Sequence, residues 1–222
     1  PDVVVHLAAM GPTAPFLDLE TAVSHNFHGT ANLVNACFQT ETPVSQLIIA
    51  RTPSERQLMN PYGISKAAVW QCCRVQAKTH GWPIHGAMIF QAYGDQQPAK
   101  TLVPTAIAAA QAGTDFAMTD GKQQRDWIHN SDVANGLIAL MNADLPPATS
   151  VELGSGQLTS VATVVQEIYK LVDGNGRPLI GQLPNRAGED AVQVADAART
   201  ERMIGWKTAV SLTDGLKRLT AG

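Results

Sequence analysis

Residues 3–9, Val-Val-Val-His-Leu-Ala-Ala, form a nearly continuous apolar run, and that run narrows the choice of fold more than any other stretch. A strand that is apolar on both faces needs cover on both, as in a parallel sheet flanked by helices. The run is therefore expected to be a central parallel strand. Gln46-Leu47-Ile48-Ile49-Ala50 and residues 85–90 repeat the strand signal, and two stretches of helical period separate the three. In residues 19–40, Ala22, Val23, Asn26, Leu33, Val34 and Cys37 share one stripe, with Asn26 as its polar interruption. An amide on such a face either finds buried partners or turns to solvent. His6 is open to a similar pair of readings, a satisfied core histidine or a polar group set behind a site.

The second helical stretch opens at Asn60-Pro61-Tyr62-Gly63-Ile64-Ser65-Lys66 and runs to about His80. Pro61 suits the first turn, where a missing N–H costs least. Tyr62 and Lys66 are four residues apart, so one face carries a phenol and an ammonium together. The bland reading is a solvated surface pair. The chemical reading is a base, because a phenol of pKa ~10 is inert at neutral pH until a fixed cation favours its anion. Moving that pKa to about 7 takes ~4 kcal/mol, within reach of Lys66 plus a second positive charge such as an oxidised nicotinamide.

Composition excludes several alternatives. The net charge of −3, without a Lys/Arg cluster, argues against nucleic acid as a partner. No apolar run is long enough for a membrane span, and no signal peptide is visible. Cys37, Cys72 and Cys73 have neither metal-ligand spacing nor an even count for disulfides, which fits a reducing cytoplasm. Cys72 and Cys73 are expected to be small packing residues of the second helix.

Four stretches in order carry a resemblance: Asp2 to Ala9, Asn26 with Gly29-Thr30, Tyr62 with Lys66, and Arg125-Asp126-Trp127-Ile128-His129 with Asp132-Val133-Ala134. They resemble the extended short-chain dehydrogenase/reductases, and in particular the NAD-dependent epimerase/dehydratase family that works on nucleotide sugars. The resemblance covers residues 2–219. It implies an α/β, Rossmann-like doubly wound parallel sheet with a smaller C-terminal substrate lobe. Residues 1–95 would be the remainder of the dinucleotide-binding domain with the Tyr/Lys helix; residues 96–222 would hold its last elements and the nucleotide-sugar lobe. The resemblance implies two further strand–helix units ahead of Pro1, with a glycine-rich phosphate turn that this sequence does not contain. Gly154-Ser155-Gly156 is no substitute, since Thr159 stands where a third glycine belongs; it reads as a strand-to-helix turn.

The resemblance also implies roles. Ala8 and Ala9 would lie along the ribose and pyrophosphate of NAD, with NADP as the other option, and Asn26 would brace the active-site backbone. Tyr62 would be the acid–base group, Lys66 would lower its pKa and bind the cofactor ribose, and Thr52 would orient the sugar oxygen. Gln91, the backbone near Val103, Arg125, Arg186 and Glu189 would hold a nucleoside-diphosphate sugar, and no metal is called for. Arg125 suits a diphosphate because a planar guanidinium binds such oxygens in pairs; a salt bridge to Asp126 is the other reading. Arg186 and Glu189 are likewise open to being solvated loop charges. Ser131 or Asp132 is expected to cap the helix that follows them.

Met88, Gln91 and Asp95 depart from the family pattern, which has Arg, Asn and Pro there. Tyr62 follows Thr52 by only ten residues, which implies a break, with loop residues absent between Ala50 and Arg51. The implied reaction is NAD(P)-dependent epimerisation of a nucleotide sugar, or related formation or reduction of a 4-keto sugar. A 4,6-dehydratase is the alternative, although Thr52-Pro53-Ser54-Glu55 does not cleanly supply the Asp-Glu pair it needs. A truncated, non-catalytic relative is another. A homodimer through a four-helix bundle of residues 19–40 and 61–80 is implied as well.

Overall fold

The computed structural model describes residues 1–11, 17–185 and 189–221. In chain order the elements are β1 (Val3–His6), α1 (Leu19–Ala22), a π-helix (Val23–His28), α2 (Gly29–Phe38), β2 (Gln46–Arg51), a 3₁₀ turn (Pro53–Glu55) and α3 (Pro61–His80). There follow β3 (Ile84–Ile89), β4 (Gln91–Tyr93), α4 (Leu102–Gln111), β5 (Phe116–Ala117), β6 (Gln124–His129) and α5 (Asn130–Met141). The chain continues with β7 (Ser150–Leu153), β8 (Leu158–Ser160), α6 (Val161–Val172), β9 (Pro178–Leu179), β10 (Val192–Gln193), α7 (Ala197–Ile204) and α8 (Leu212–Thr220). Two compact units interleave along it.

The first unit takes Pro1–Ile89, Leu137–Leu153 and Arg199–Gly205. Its sheet is all parallel, in the order β1-β2-β3-β7. Leu47, Ile48 and Ile49 of β2 are essentially buried on both faces, as their unbroken apolar run requires. Val34, Cys37 and Phe38 of α2 and Val69, Trp70, Cys73 and Ala77 of α3 close over Leu47, Ile49 and Ile84 on one side. Among the described residues β1 pairs with β2 and stays half-exposed.

β2 keeps one register across Ala50 and Arg51, opposite Ala87 and Met88. Two expectations change in this unit. Residues 19–38 are one helical stretch but not a uniform α-helix, because Val23–His28 are wound as a π-helix. Cys73 is buried as a packing residue should be, whereas Cys72 is exposed.

α3 begins and ends by local chemistry. The Asn60 side chain accepts from the Gly63 amide at 2.9 Å, Pro61 takes the first position, and Gly81 closes the helix at φ +69°. Gly63 is there for room: a Cβ on it would lie 2.5 Å from the Ser54 carbonyl oxygen. Gly63→Ala should therefore destabilise by ~1–3 kcal/mol, although alanine is the better helix former by about 1 kcal/mol. A urea midpoint equal to or above that of the wild type would contradict this close packing.

The second unit takes Phe90–Gly136, Gly154–Ala198 and Trp206–Gly222. β6 lies between β10 and β4, parallel to both, with β8 added antiparallel, while β5 and β9 form a separate parallel pair. Its core joins Tyr93, Val103 and Ile107 to Trp127, Val164, Ile168 and Leu216. Ser160 and Ser211 cap α6 and α8 by accepting from the Thr163 and Asp214 amides. Asp132 caps no helix. Its carboxylate accepts from the Ala209 and Val210 amides at 3.1 and 2.9 Å, fastening the segment before α8. The Gly154–Gly156 turn leads first into β8 and only then into α6. Among the described residues no helix is long and apolar enough to cross a membrane.

Candidate functional site

In the first unit, Tyr62 is half-buried and Lys66 only 3% exposed, which rules out a solvated surface pair. Lys66 makes no hydrogen bond or ion pair among the described residues, an unusual state for a buried ammonium. Asn26 sits in the π-helix, a local winding that recurs at functional sites. Its side chain is 1% exposed and fully engaged. The carbonyl accepts from the Met10 amide at 2.8 Å, and the NH₂ donates to the Met10 carbonyl and to Ser65 Oγ, both at 3.1 Å. Ser65 Oγ in turn donates to the Tyr62 carbonyl at 2.9 Å. Asn26 thus ties the exit of β1 to the first turn of α3, and Ser65 is the link that sequence reasoning missed. Ala8 and Ala9 lie in the exposed segment between β1 and Met10. His6 Nε2 meets Thr30 Oγ1 at 2.9 Å; burial and then the Lys66 charge hold its pKa below the usual range.

Thr52 and Tyr62 come together. The Thr52 hydroxyl acts as a hydrogen-bond donor to the phenol and favours its anion. Behind it, Glu55 Oε1 accepts from the Thr52 amide at 3.1 Å, and Glu55 Oε2 accepts from Arg51 Nη2 and Nε at 2.7 and 3.0 Å. Thr52-Pro53-Ser54-Glu55 is a capping box, a pattern legible in the sequence as a hydroxyl followed three residues later by an acid.

Burial is the largest influence on Tyr62 and raises its pKa, the Thr52 hydrogen bond offsets part of that, and the Glu55 charge adds to the rise. Burial likewise lowers the pKa of Lys66, with Glu55 opposing. In the protein alone, desolvation of the anion outweighs the Thr52 hydrogen bond.

In the second unit, Arg125 is 6% exposed on β6, and its partner is not Asp126. Arg125 Nη2 meets Glu189 Oε1 at 3.4 Å, which also accepts from Gln123 Nε2 at 3.2 Å. Two residues picked out for the diphosphate and ribose thus meet across 64 positions of sequence. Asp126 is wholly buried for another purpose. Its two oxygens accept from the Ser155 amide and hydroxyl, the Gly156 amide and the Ala195 amide, at 2.6 to 3.1 Å. Asp190, adjacent to Glu189, is buried and held by Gln193. Gln91 is half-buried on β4, and the Val103 side chain is locked in the core, leaving only its backbone for a ligand. Arg186 lies outside the described residues.

The sequence model of the NAD dependent epimerase/dehydratase family matches residues 1–154. The chain belongs to that family. Among relatives, the uncharacterized UDP-glucose epimerase YtcB of Bacillus subtilis (strain 168) is 27% identical over 232 residues, covering 97% of this chain and 72% of that protein. A dTDP-glucose 4,6-dehydratase of Xanthomonas campestris pv. campestris (strain B100) is 29% identical over 166 residues, covering 71% of this chain and 47% of its own length. The chain therefore spans under half of that relative. The crystal structure of UDP-glucuronic acid 4-epimerase from Bacillus cereus, in complex with UDP-glucuronic acid and NAD, superimposes with a TM-score of 0.87. It is 24% identical and covers 97% of this chain and 73% of the other, a likeness of fold. The family's α/β architecture with parallel sheets is the one found here.

Proposed function

We propose that this family member acts as a nucleoside-diphosphate-sugar epimerase, or as a related enzyme that forms and reduces a 4-keto sugar, with NAD as cofactor and NADP as the other option. The observation that carries this reading is Lys66, a buried ammonium with no hydrogen-bond or ion-pair partner among the described residues, one turn along from Tyr62. Such a group is costly unless a ligand brings it oxygen atoms, and ribose hydroxyls fit. Ala8 and Ala9 suit the same ligand, since small exposed side chains allow close approach at the exit of β1. When bound, the nicotinamide supplies a reversible hydride acceptor. Tyr62 Oη takes the proton of the sugar hydroxyl and later returns it, while Thr52 orients that oxygen. Lys66 donates to ribose and adds positive charge beside the phenol. Gln91, the backbone near Val103, Arg125 and Glu189 bind the nucleotide diphosphate, with Arg186 assigned alongside them from sequence.

Epimerisation is favoured over dehydration because Glu55, three residues after Thr52, is engaged by Arg51 and the Thr52 amide. A 4,6-dehydratase would need an acid free to act on the sugar. A homodimer through a four-helix bundle is part of the same reading, supported by the exposed stripe of Ile64, Ala68, Cys72 and Val75 on α3.

The test is incubation of the purified protein with UDP-, dTDP-, GDP- and CDP-sugars, read by NMR and mass spectrometry. Expected is a C4 epimer of unchanged mass from one of them. Loss of one water would assign the dehydratase instead, and no turnover together with no bound cofactor would assign a non-catalytic relative. Light scattering that gives a monomer at micromolar concentrations would refute the dimer.

A further inference from the structure

The first unit holds a cleft of about 650 Å³ along α3, lined by residues that the reading above leaves outside the chemistry. Four cationic side chains, Arg51 (itself paired with Glu55 at 2.7 Å), Arg74, Lys78 and Arg199, line it with one carboxylate, Glu152, in a chain whose net charge is −3. The carboxylate is already taken, at 2.5 Å from Arg56 Nη2. Arg74 and Lys78 make no ion pair among the described residues, and Arg74 donates only to Gln71 Oε1, at 2.9 Å. Sequence gave no hint of this concentration, because its members are scattered from β2 to α7.

Arg51 is built into the wall rather than draped over it. Its guanidinium lies 4.5 Å from the Trp70 ring centre, and Nη1 donates to Ser150 Oγ at 3.0 Å. Gly86 makes the crossing possible: a Cβ there would sit 2.7 Å from Arg51 Cδ and 2.9 Å from both Ser150 Oγ and Trp70 Cη2. With Nε and Nη2 bonded to Glu55, one N–H on each terminal nitrogen is left without an acceptor among the described residues. Burial, and after it the charges of Arg56 and Arg74, oppose the Arg51 cation, which Glu55 only partly offsets.

We propose that this cleft is a binding site for the oligophosphate group of a small ligand, separate from the Tyr62 centre. Guanidinium groups match phosphate oxygens in pairs, and a chain of two or three phosphates can reach both Arg74 and Lys78 and the N–H groups of Arg51 as a single phosphate would not. The volume suits a small molecule, and the acidic balance of the whole chain excludes a nucleic-acid track.

The test is calorimetric titration of the protein with inorganic tripolyphosphate at constant ionic strength, repeated on the double variant Arg74→Gln/Lys78→Gln. Expected is saturable binding that weakens by at least about tenfold in the variant, a loss of roughly 1.4 kcal/mol, with NAD affinity unchanged. Equal affinity in both proteins, or no binding up to about 5 mM, would overturn the proposal. So would citrate binding as tightly as tripolyphosphate, since the site would then not select phosphate. None of these results bears on Tyr62, so the two readings fail separately.

Discussion

Tyr62→Phe is expected to lower kcat by about 10²- to 10⁴-fold, the usual range for loss of a positioned acid–base group, or roughly 3–5 kcal/mol of barrier. The variant removes only the O–H. The half-buried ring remains, so folding and cofactor affinity should hold, and the loss should fall on the chemical step. The pH profile gives a second readout. Burial keeps the phenol above its ordinary range in the protein alone, so the anion gains population as pH rises, and kcat/KM for sugar oxidation should climb through the alkaline limb. Thr52→Val removes the hydrogen bond that favours the anion, so that limb should move to higher pH. A Tyr62→Phe protein retaining more than about a tenth of the wild-type rate would remove Tyr62 from the chemistry.

What the sequence made legible was local. Asn60, Pro61 and the glycine after His80 mark the ends of α3 because capping chemistry acts within one turn. The apolar runs of β2 and β3 are visible because burial on both faces leaves no polar residues to confuse the period. The π-helix was not legible, since a widened turn preserves the same stripe to within one residue.

In the site, distance along the chain set the limit. Tyr62 with Lys66 is a one-turn relation and could be read directly. The capping box of Thr52 and Glu55 was equally local, yet its residues were weighed as catalytic hydroxyl and acid before their structural use. Arg125 with Glu189 could be named only as two separate residues, because neither spacing nor period links positions that far apart. Charge at one-turn spacing is visible in sequence, while burial, which raises the Tyr62 pKa, is a property of the whole fold.

Asp126→Asn is expected to destabilise the protein by ~3–5 kcal/mol despite nearly unchanged volume, a large share of the 5–15 kcal/mol that holds a domain folded. Oδ1 accepts two bonds from Ser155 and Oδ2 accepts one each from Gly156 and Ala195, so every lone-pair direction is used by a donor. An amide must place its own NH₂ against one of those pairs. Two charge-assisted bonds are then lost at ~1.5–3 kcal/mol each, and buried N–H groups are stranded with no room to turn away. Gly154 shows how little room there is, since a Cβ on it would lie 2.6 Å from Asp126 Oδ2. Ser155→Ala, which deletes a single hydroxyl donor, should cost only about 1 kcal/mol and calibrates the comparison. Denaturation in urea measures both. A Asp126→Asn midpoint close to that of Ser155→Ala would mean the carboxylate charge contributes little. The functional consequence follows from strand geometry: Arg125 and Asp126 are neighbours on β6 with side chains on opposite faces, so anchoring one fixes the backbone that aims the other.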